Sequence, residues 1–82
     1  MRDGNFPTRE QVLALRKQYD SGTIIELVSI EDEYTNLRAG DIGTVQYVDD
    51  AGQIQMRWRR GQTLALIPGV DDFRIIGHEE HI

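Results

Sequence analysis

The residues best suited to chemistry lie in the stretch MRWRRG, residues 56–61, where three arginines surround the only tryptophan of the chain. Guanidinium groups beside an aromatic ring can hold a phosphate backbone and stack a nucleic-acid base, as in domains that bind single strands. The pattern makes Arg57, Arg59 and Arg60 candidate partner-binding residues. One hypothesis is therefore a weak nucleic-acid-binding domain that uses the Arg57/Arg59/Arg60 face.

The alternation around the tryptophan favours a different role for its ring. Side chains of a β-strand point to opposite faces in turn, so Ile54, Met56 and Trp58 would share one face. The opposite face would carry Gln53, Gln55, Arg57 and Arg59. A ring buried with two apolar neighbours cannot stack on a base. We therefore expect Trp58 in the core and the arginines in solvent.

Six acidic residues in two loops are candidates for a cation site or a hydrolytic pair: Glu31, Asp32, Glu33, Asp41, Asp49 and Asp50. Loop carboxylates can bind Ca²⁺ or Mg²⁺, but the segment EDEYTNLRAGD lacks the spacing of an EF-hand. Asp49 and Asp50 precede Ala51–Gly52, a sequence typical of a hairpin turn. A glycosidase needs a cleft with its carboxyl groups about 5 to 9.5 Å apart, which a domain this small rarely offers. We expect no metal site and no catalytic pair.

The two histidines and the glycine pair of the segment GDIG are weak candidates. His78 and His81 are three residues apart, whereas the HExxH zinc motif spaces them by four. They follow Gly77 at the end of the sequence, so we interpret residues 77–82 as a flexible tail. The GDIG segment contains an acid and leads into a strand, unlike the GXXG loop that clamps RNA. Because no Ser/His/Asp set, Cys/His set or phosphate loop occurs, we expect no cofactor and no enzymatic activity.

The elements that position these residues begin with a helix over about residues 8–19. Thr8 and Gln11 fit a capping box, in which each side chain pairs with the backbone N–H of the other residue. The helix carries one apolar stripe at helical spacing, formed by Val12, Leu15 and Tyr19. A helix of this length is marginal in isolation, so we expect it to pack on the rest of the domain.

Short segments rich in β-branched residues follow the helix, separated by turns that contain glycine. They predict four to five strands, at about residues 23–30, 42–48, 53–58, 62–67 and 73–77. The loop after the first strand contains Tyr34 and Leu37, which we expect to fold back over one end of the sheet. The fold class is mainly β, a small SH3-like antiparallel barrel over about residues 23–76 with one N-terminal α-helix. A split sheet with the helix on one face is the rival arrangement.

Length and charge narrow the function. Eighty-two residues suffice for a single domain, residues 1–82, and without cysteine neither a disulfide nor a thiolate metal site supports it. A net charge of −5 disfavours nucleic acid and anionic membranes at long range. No apolar run approaches the roughly 20 residues that span a bilayer, and the start lacks a signal-peptide core. We therefore expect a cytoplasmic protein without a membrane partner.

Three stretches resemble a known family: REQVLALRKQY, the central GTIIELVSIEDEYTNLRAGDIGTVQYVDDAGQIQMRW, and LALIPGVDDF. They extend over about residues 9–76 and look like a small uncharacterised bacterial domain-of-unknown-function family. The most specific matches are Tyr34–Thr35, Gly40, Asp41, Gly43 and Pro68–Gly69. The resemblance implies an N-terminal helix with an SH3-like β-barrel, often encoded on mobile elements, and it implies no established activity.

These observations predict a non-catalytic domain that serves as a protein-binding or adaptor module. An acidic chain prefers basic or apolar partners. We take Tyr34, Leu37 and their acidic loop as the first candidate contact, because exposed apolar residues among charges often mark interfaces. Binding of nucleic acid through Arg57, Arg59 and Arg60 is the alternative.

Overall fold

A computed structural model describes residues 7–30 and 35–79 and contains one helix followed by four strands. Their bounds are α1 Arg9–Gln18, β1 Thr23–Ser29, β2 Ile42–Val48, β3 Ile54–Trp58 and β4 Asp72–His78. The strands form one antiparallel sheet in the order β3-β2-β1-β4. The chain is therefore mainly β with an N-terminal helix, as predicted. The sheet is open, however, because β3 and β4 lie at opposite ends of it, so the described residues do not close a barrel.

The helix begins at the predicted cap and packs on the sheet. The Thr8 hydroxyl accepts a hydrogen bond from the backbone N–H of Gln11 at 3.1 Å, and the Gln11 side chain accepts one from the Thr8 N–H at 2.8 Å. This reciprocal pair is the predicted capping box. Val12 is buried, and Leu15 and Tyr19 pack against the core of the sheet. The predicted apolar stripe is therefore the face that holds α1 in place.

The core lies on one face of the sheet and is centred on the indole ring. Ile54, Met56 and Trp58 are all at most 3% exposed, which confirms the alternation predicted for this strand. The indole N–H donates a hydrogen bond to the Leu64 carbonyl at 2.8 Å. Gly43, the cross-strand partner of Trp58, leaves the space that the ring fills. Trp58 is thus a core residue and has no open face for a ligand.

Residues 62–67 were predicted to be a strand, and this prediction is wrong. The segment makes one isolated antiparallel bridge, in which Leu66 exchanges both backbone hydrogen bonds with Ile54. The Leu64 carbonyl is taken by the indole of Trp58, and the Ile67 N–H donates to the Asp71 carboxylate at 2.9 Å. The indole thereby occupies the Leu64 carbonyl, which a ladder with β3 would use. Residues 62–67 therefore lie beside β3 without joining the sheet. We name them the side segment.

The last strand, β4, is longer than predicted and pairs at a different place in the sheet. β4 pairs with β1, so it extends the sheet at one end instead of closing it. Gly77 and His78, assigned to a flexible tail from the sequence, form the last two residues of β4. The His78 ring lies 3.4 Å from the carboxylate of Asp20, which fixes this end of the strand. His81 lies outside the described residues.

Candidate binding groove

The three candidate arginines are all exposed but differ in what holds them. Arg60 forms an ion pair with Asp41 at 3.4 Å and donates a hydrogen bond to the Asn36 carbonyl at 3.3 Å. Within the described part of the chain, neither Arg57 nor Arg59 has an ion pair or a side-chain hydrogen bond. Arg60 therefore stabilises the loop before β2. Among the described residues, the guanidinium groups of Arg57 and Arg59 remain available to bind a partner.

Leu37 of the acidic loop does not offer the expected exposed contact. Leu37 is only 5% exposed and belongs to the core cluster. It folds back over the sheet as predicted, but the expectation that it would offer an exposed apolar surface is wrong. Tyr34 lies outside the described residues. Of this loop, Asn36 is exposed and Thr35 is half-buried.

The candidate carboxylates that the structure describes, Asp41, Asp49 and Asp50, each have their own partners. One oxygen of Asp49 accepts hydrogen bonds from two backbone N–H groups of the hairpin turn, at 3.0 and 2.8 Å. Asp50 forms an ion pair with Arg16 of α1 at 2.8 Å. Residues 31–33 lie outside the described ranges. Within those ranges, no three His, Cys, Asp or Glu side chains converge as metal ligands would.

His78 and Asp20 form the only ion pair with a shifted titration in residues 7–30 and 35–79. The hydrogen bond between the imidazole and the Glu79 carbonyl, at 2.8 Å, raises the pKa of His78, and the Asp20 charge adds to this effect. The Thr23 hydroxyl, which donates to Asp20 at 2.8 Å, lowers the pKa of that carboxyl. Both ionisable groups are solvent-exposed. The pair joins the end of β4 to the turn after α1.

A groove of about 590 Å³ lies along β3 and the side segment. Six of its lining residues carry amide or hydroxyl groups: Thr35, Asn36, Gln53, Gln55, Gln62 and Thr63. The remaining lining residues, Leu64, Ala65 and Ile67, are apolar. None of the lining residues that the structure describes is charged. We name this site the amide groove.

Three parts of the chain position the amide groove. Gln55 of β3 and Gln53, which directly precedes the strand, lie on the face opposite the tryptophan, as the alternation predicts. The Gln55 amide is held by a hydrogen bond to the second oxygen of Asp49 at 3.0 Å. Asn36 is held from the other side by Arg60. The loop before β2, β3 and the side segment therefore meet at one rim of the sheet.

Sequence reasoning missed the amide groove because its parts are distant in the chain. The available signal was the recurrence of Gln53, Gln55 and Gln62 within ten residues. From the sequence, Gln53 and Gln55 are only neighbours of Arg57 and Arg59 on the same face of the strand. The contribution of Thr35 and Asn36 has no signal in the local sequence.

The fold and the amide groove define a small, mainly β domain with a surface groove at one end of an open sheet, and the described residues of that groove carry no charge. A family model described as Domain of unknown function (DUF4314) matches residues 8–76. The chain therefore belongs to this family, as the resemblance indicated. No curated protein and no solved structure matches it. In the described part of the chain, no helix is both long and apolar enough to cross a membrane.

Proposed function

We propose that this domain is a non-catalytic, cytoplasmic protein-binding module whose partner occupies the amide groove. The observation that carries the proposal is the neutrality of the groove: among the described residues its lining carries no charge, although 28% of the chain is charged. Amide and hydroxyl groups both donate and accept hydrogen bonds, so they match a peptide backbone and uncharged polar side chains. A groove built for phosphates would present cations instead.

The surroundings of the amide groove favour binding over catalysis. A nucleophilic hydroxyl needs a general base within hydrogen-bond reach. The carboxylate that contacts a groove side chain is Asp49, and its oxygens already accept hydrogen bonds from the hairpin turn and from Gln55. A carboxylate engaged in this way positions the hairpin turn and Gln55, and it makes no hydrogen bond to a hydroxyl group among the described residues.

A nucleic-acid role is the second candidate, and one observation favours it. The guanidinium groups of Arg57 and Arg59 are exposed and lack partners among the described residues. Two features weigh against it: Trp58 is 2% exposed and unable to stack on a base, and the net charge of −5 repels a polyanion. We therefore rank protein binding first.

The experiment compares the same chemical change at two places. Gln62→Glu puts a negative charge into the amide groove, whereas Gln18→Glu puts it on the exposed surface of α1. Each purified chain is coupled to a resin, and proteins captured from its own cell type are quantified by mass spectrometry. We expect a partner that the wild type and Gln18→Glu retain equally and that Gln62→Glu retains at least tenfold less.

Equal capture by the two charge variants would contradict the assignment of the amide groove. The nucleic-acid candidate is tested separately by titration with single-stranded DNA and RNA at low and moderate salt. If binding occurs, Arg59→Glu should weaken it and reduce its salt dependence. Absence of binding at low salt would eliminate that candidate.

A further inference from the structure

The backbone of the side segment runs alongside β3 in an extended form. Its Gln62 carbonyl accepts from the Trp58 N–H at 3.4 Å, and its Leu66 pairs with Ile54 at 2.8 and 2.9 Å. These two contacts are four residues apart both along β3 and along the side segment. The side segment is therefore as extended as the strand that it accompanies.

Two residues between these contacts have unused backbone hydrogen-bonding groups. Among the described residues, no N–H or C=O of Thr63 or Ala65 takes part in a hydrogen bond. In an extended chain the backbone groups of successive residues point to alternate sides. Gln62 and Leu66 bond towards β3, so the groups of Thr63 and Ala65 point away from it. Together these unpaired backbone groups form an edge like that of an outer β-strand.

This edge lacks the devices that normally keep a strand edge from pairing. Natural edges are blunted by charged residues, by proline or by bulges. The side segment has the sequence QTLALI, which contains neither a charge nor a proline. Thr63 and Ala65 also line the amide groove. Free backbone groups and an uncharged groove therefore occur together at one site.

We propose that an extended, uncharged segment of a partner protein adds as a strand along Thr63 and Ala65. The inference rests on the proposed protein-binding function and specifies how the partner is held. Main-chain hydrogen bonds supply affinity in this mode of binding, and pockets for alternate side chains supply specificity. The amides of Gln53 and Gln62 receive the alternate side chains of the added strand. Serine, threonine, asparagine and glutamine side chains match them in polarity and charge.

The other end of the sheet fits an added strand less well. β4 is also an edge, and its Ile75 and Ile76 are 47% and 48% exposed. Its register with β1 shifts where Ile76 is an extra residue. Such a bulge twists an edge and interrupts regular pairing. The side segment is therefore the better receptor for a strand.

The test begins with a random decapeptide display library selected on the intact chain. Binding of the selected peptides is then measured by fluorescence anisotropy against two variants at one position. Ala65→Pro removes the backbone N–H, and Ala65→Ser keeps it. Loss of one hydrogen bond should weaken binding roughly fivefold to tenfold in Ala65→Pro. Ala65→Ser should bind within about twofold of wild type, because its backbone donor is unchanged.

A second measurement leaves the protein unchanged, in case Ala65→Pro does not fold. N-methylation of every second amide of a selected peptide removes the donors on one edge of the added strand. One of the two alternating methylation patterns should abolish binding, and the other should be tolerated. Amide signals of Thr63 and Ala65 in ¹⁵N-labelled protein should shift when the unmodified peptide binds.

Strand addition is overturned if the selected peptides tolerate both methylation patterns, or bind Ala65→Pro as tightly as Ala65→Ser when both variants fold. It is also overturned if peptide binding shifts the amides of β4 and leaves the side segment unchanged. A library that yields no binder overturns it too. None of these results refutes the protein-binding function itself, because capture with Gln62→Glu and Gln18→Glu tests that function independently.

Discussion

Gly43→Ala should destabilise the domain, because this glycine makes room for the indole ring. Gly43 lies on β2 opposite Trp58, and its φ angle is not in the left-handed region. The backbone therefore accepts alanine without strain. The added Cβ would lie 2.7 Å from Cε3 of Trp58 and 3.0 Å from the terminal methyl of Met56. Contacts this short require one of the neighbours to move.

The size of the effect depends on which neighbour can yield. The Met56 methyl ends a flexible side chain, whereas the indole is 2% exposed and anchored to the Leu64 carbonyl. Overpacking of such a core costs about 1 to 3 kcal/mol. For a domain of this size, 1 kcal/mol lowers Tm by roughly 4 to 8 °C. Any displacement of the ring also loosens its hold on the side segment.

The assay is urea unfolding followed by the fluorescence of Trp58, with thermal unfolding followed by circular dichroism. Gly77→Ala is the matched control, since Gly77 is also a strand glycine without a positive φ. A Cβ at this position would meet nothing within 4 Å. The control variant should be as stable as wild type or more stable by up to about 1 kcal/mol.

Two results would refute this reasoning. Unchanged stability of Gly43→Ala would mean that the indole does not limit the approach of β2 and β3. Equal destabilisation of Gly77→Ala would mean that any alanine in the sheet has this effect, independent of Trp58.

Two further predictions concern polar contacts. Asp49→Ala removes the acceptor for two N–H groups of the hairpin turn and for Gln55, so we expect a loss of about 1.5 to 3 kcal/mol in urea unfolding. Asp49→Asn retains one acceptor oxygen and should lose less; an equal loss would be evidence against this account. The hydrogen bond to the Glu79 carbonyl, and then the charge of Asp20, raise the pKa of His78 above its ordinary value. The protonated imidazole therefore stabilises the folded state fully below the ordinary histidine pKa of 6.5, and this stabilisation is lost as pH rises through the higher pKa of the folded state. Wild type should therefore be more stable than His78→Gln at pH values between 3.8 and 6.5, the ordinary pKa values of Asp20 and His78, and should lose this advantage above that range. A difference in stability that does not change with pH would contradict the contribution of the ion pair.

The sequence predicted those features that depend on residues close together in the chain. The capping box at Thr8 and Gln11 needs only a spacing of three residues. Burial of Trp58 followed from alternation along a single strand. Alternation at Leu64 and Leu66 is also that of a strand, and both residues pack in or against the core. It could not predict that their segment lacks a ladder, because a period of two specifies faces and not hydrogen-bond partners.

The features that sequence reasoning missed depend on contacts between distant residues. From the sequence, Leu37 has two competing interpretations, a cover for one end of the sheet and an exposed contact, and packing against the core decides for the first. The position of β4 beside β1 could not be derived either, since strands of similar pattern compete for the same free edge. The amide groove combines three such placements and had no single local signal.

The sequence by itself determined the helix, its cap, the first three strands and the face on which each side chain of β3 lies. Local propensity and periodicity decide these features within a few residues. Tertiary structure alone decided the order of the strands, the open sheet and the free backbone edge of Thr63 and Ala65. The physical reason is competition for a hydrogen bond: the Trp58 indole takes the Leu64 carbonyl, which a ladder with β3 would use. The side segment therefore lies beside the sheet in an extended form, and the backbone groups of Thr63 and Ala65 have no partner among the described residues.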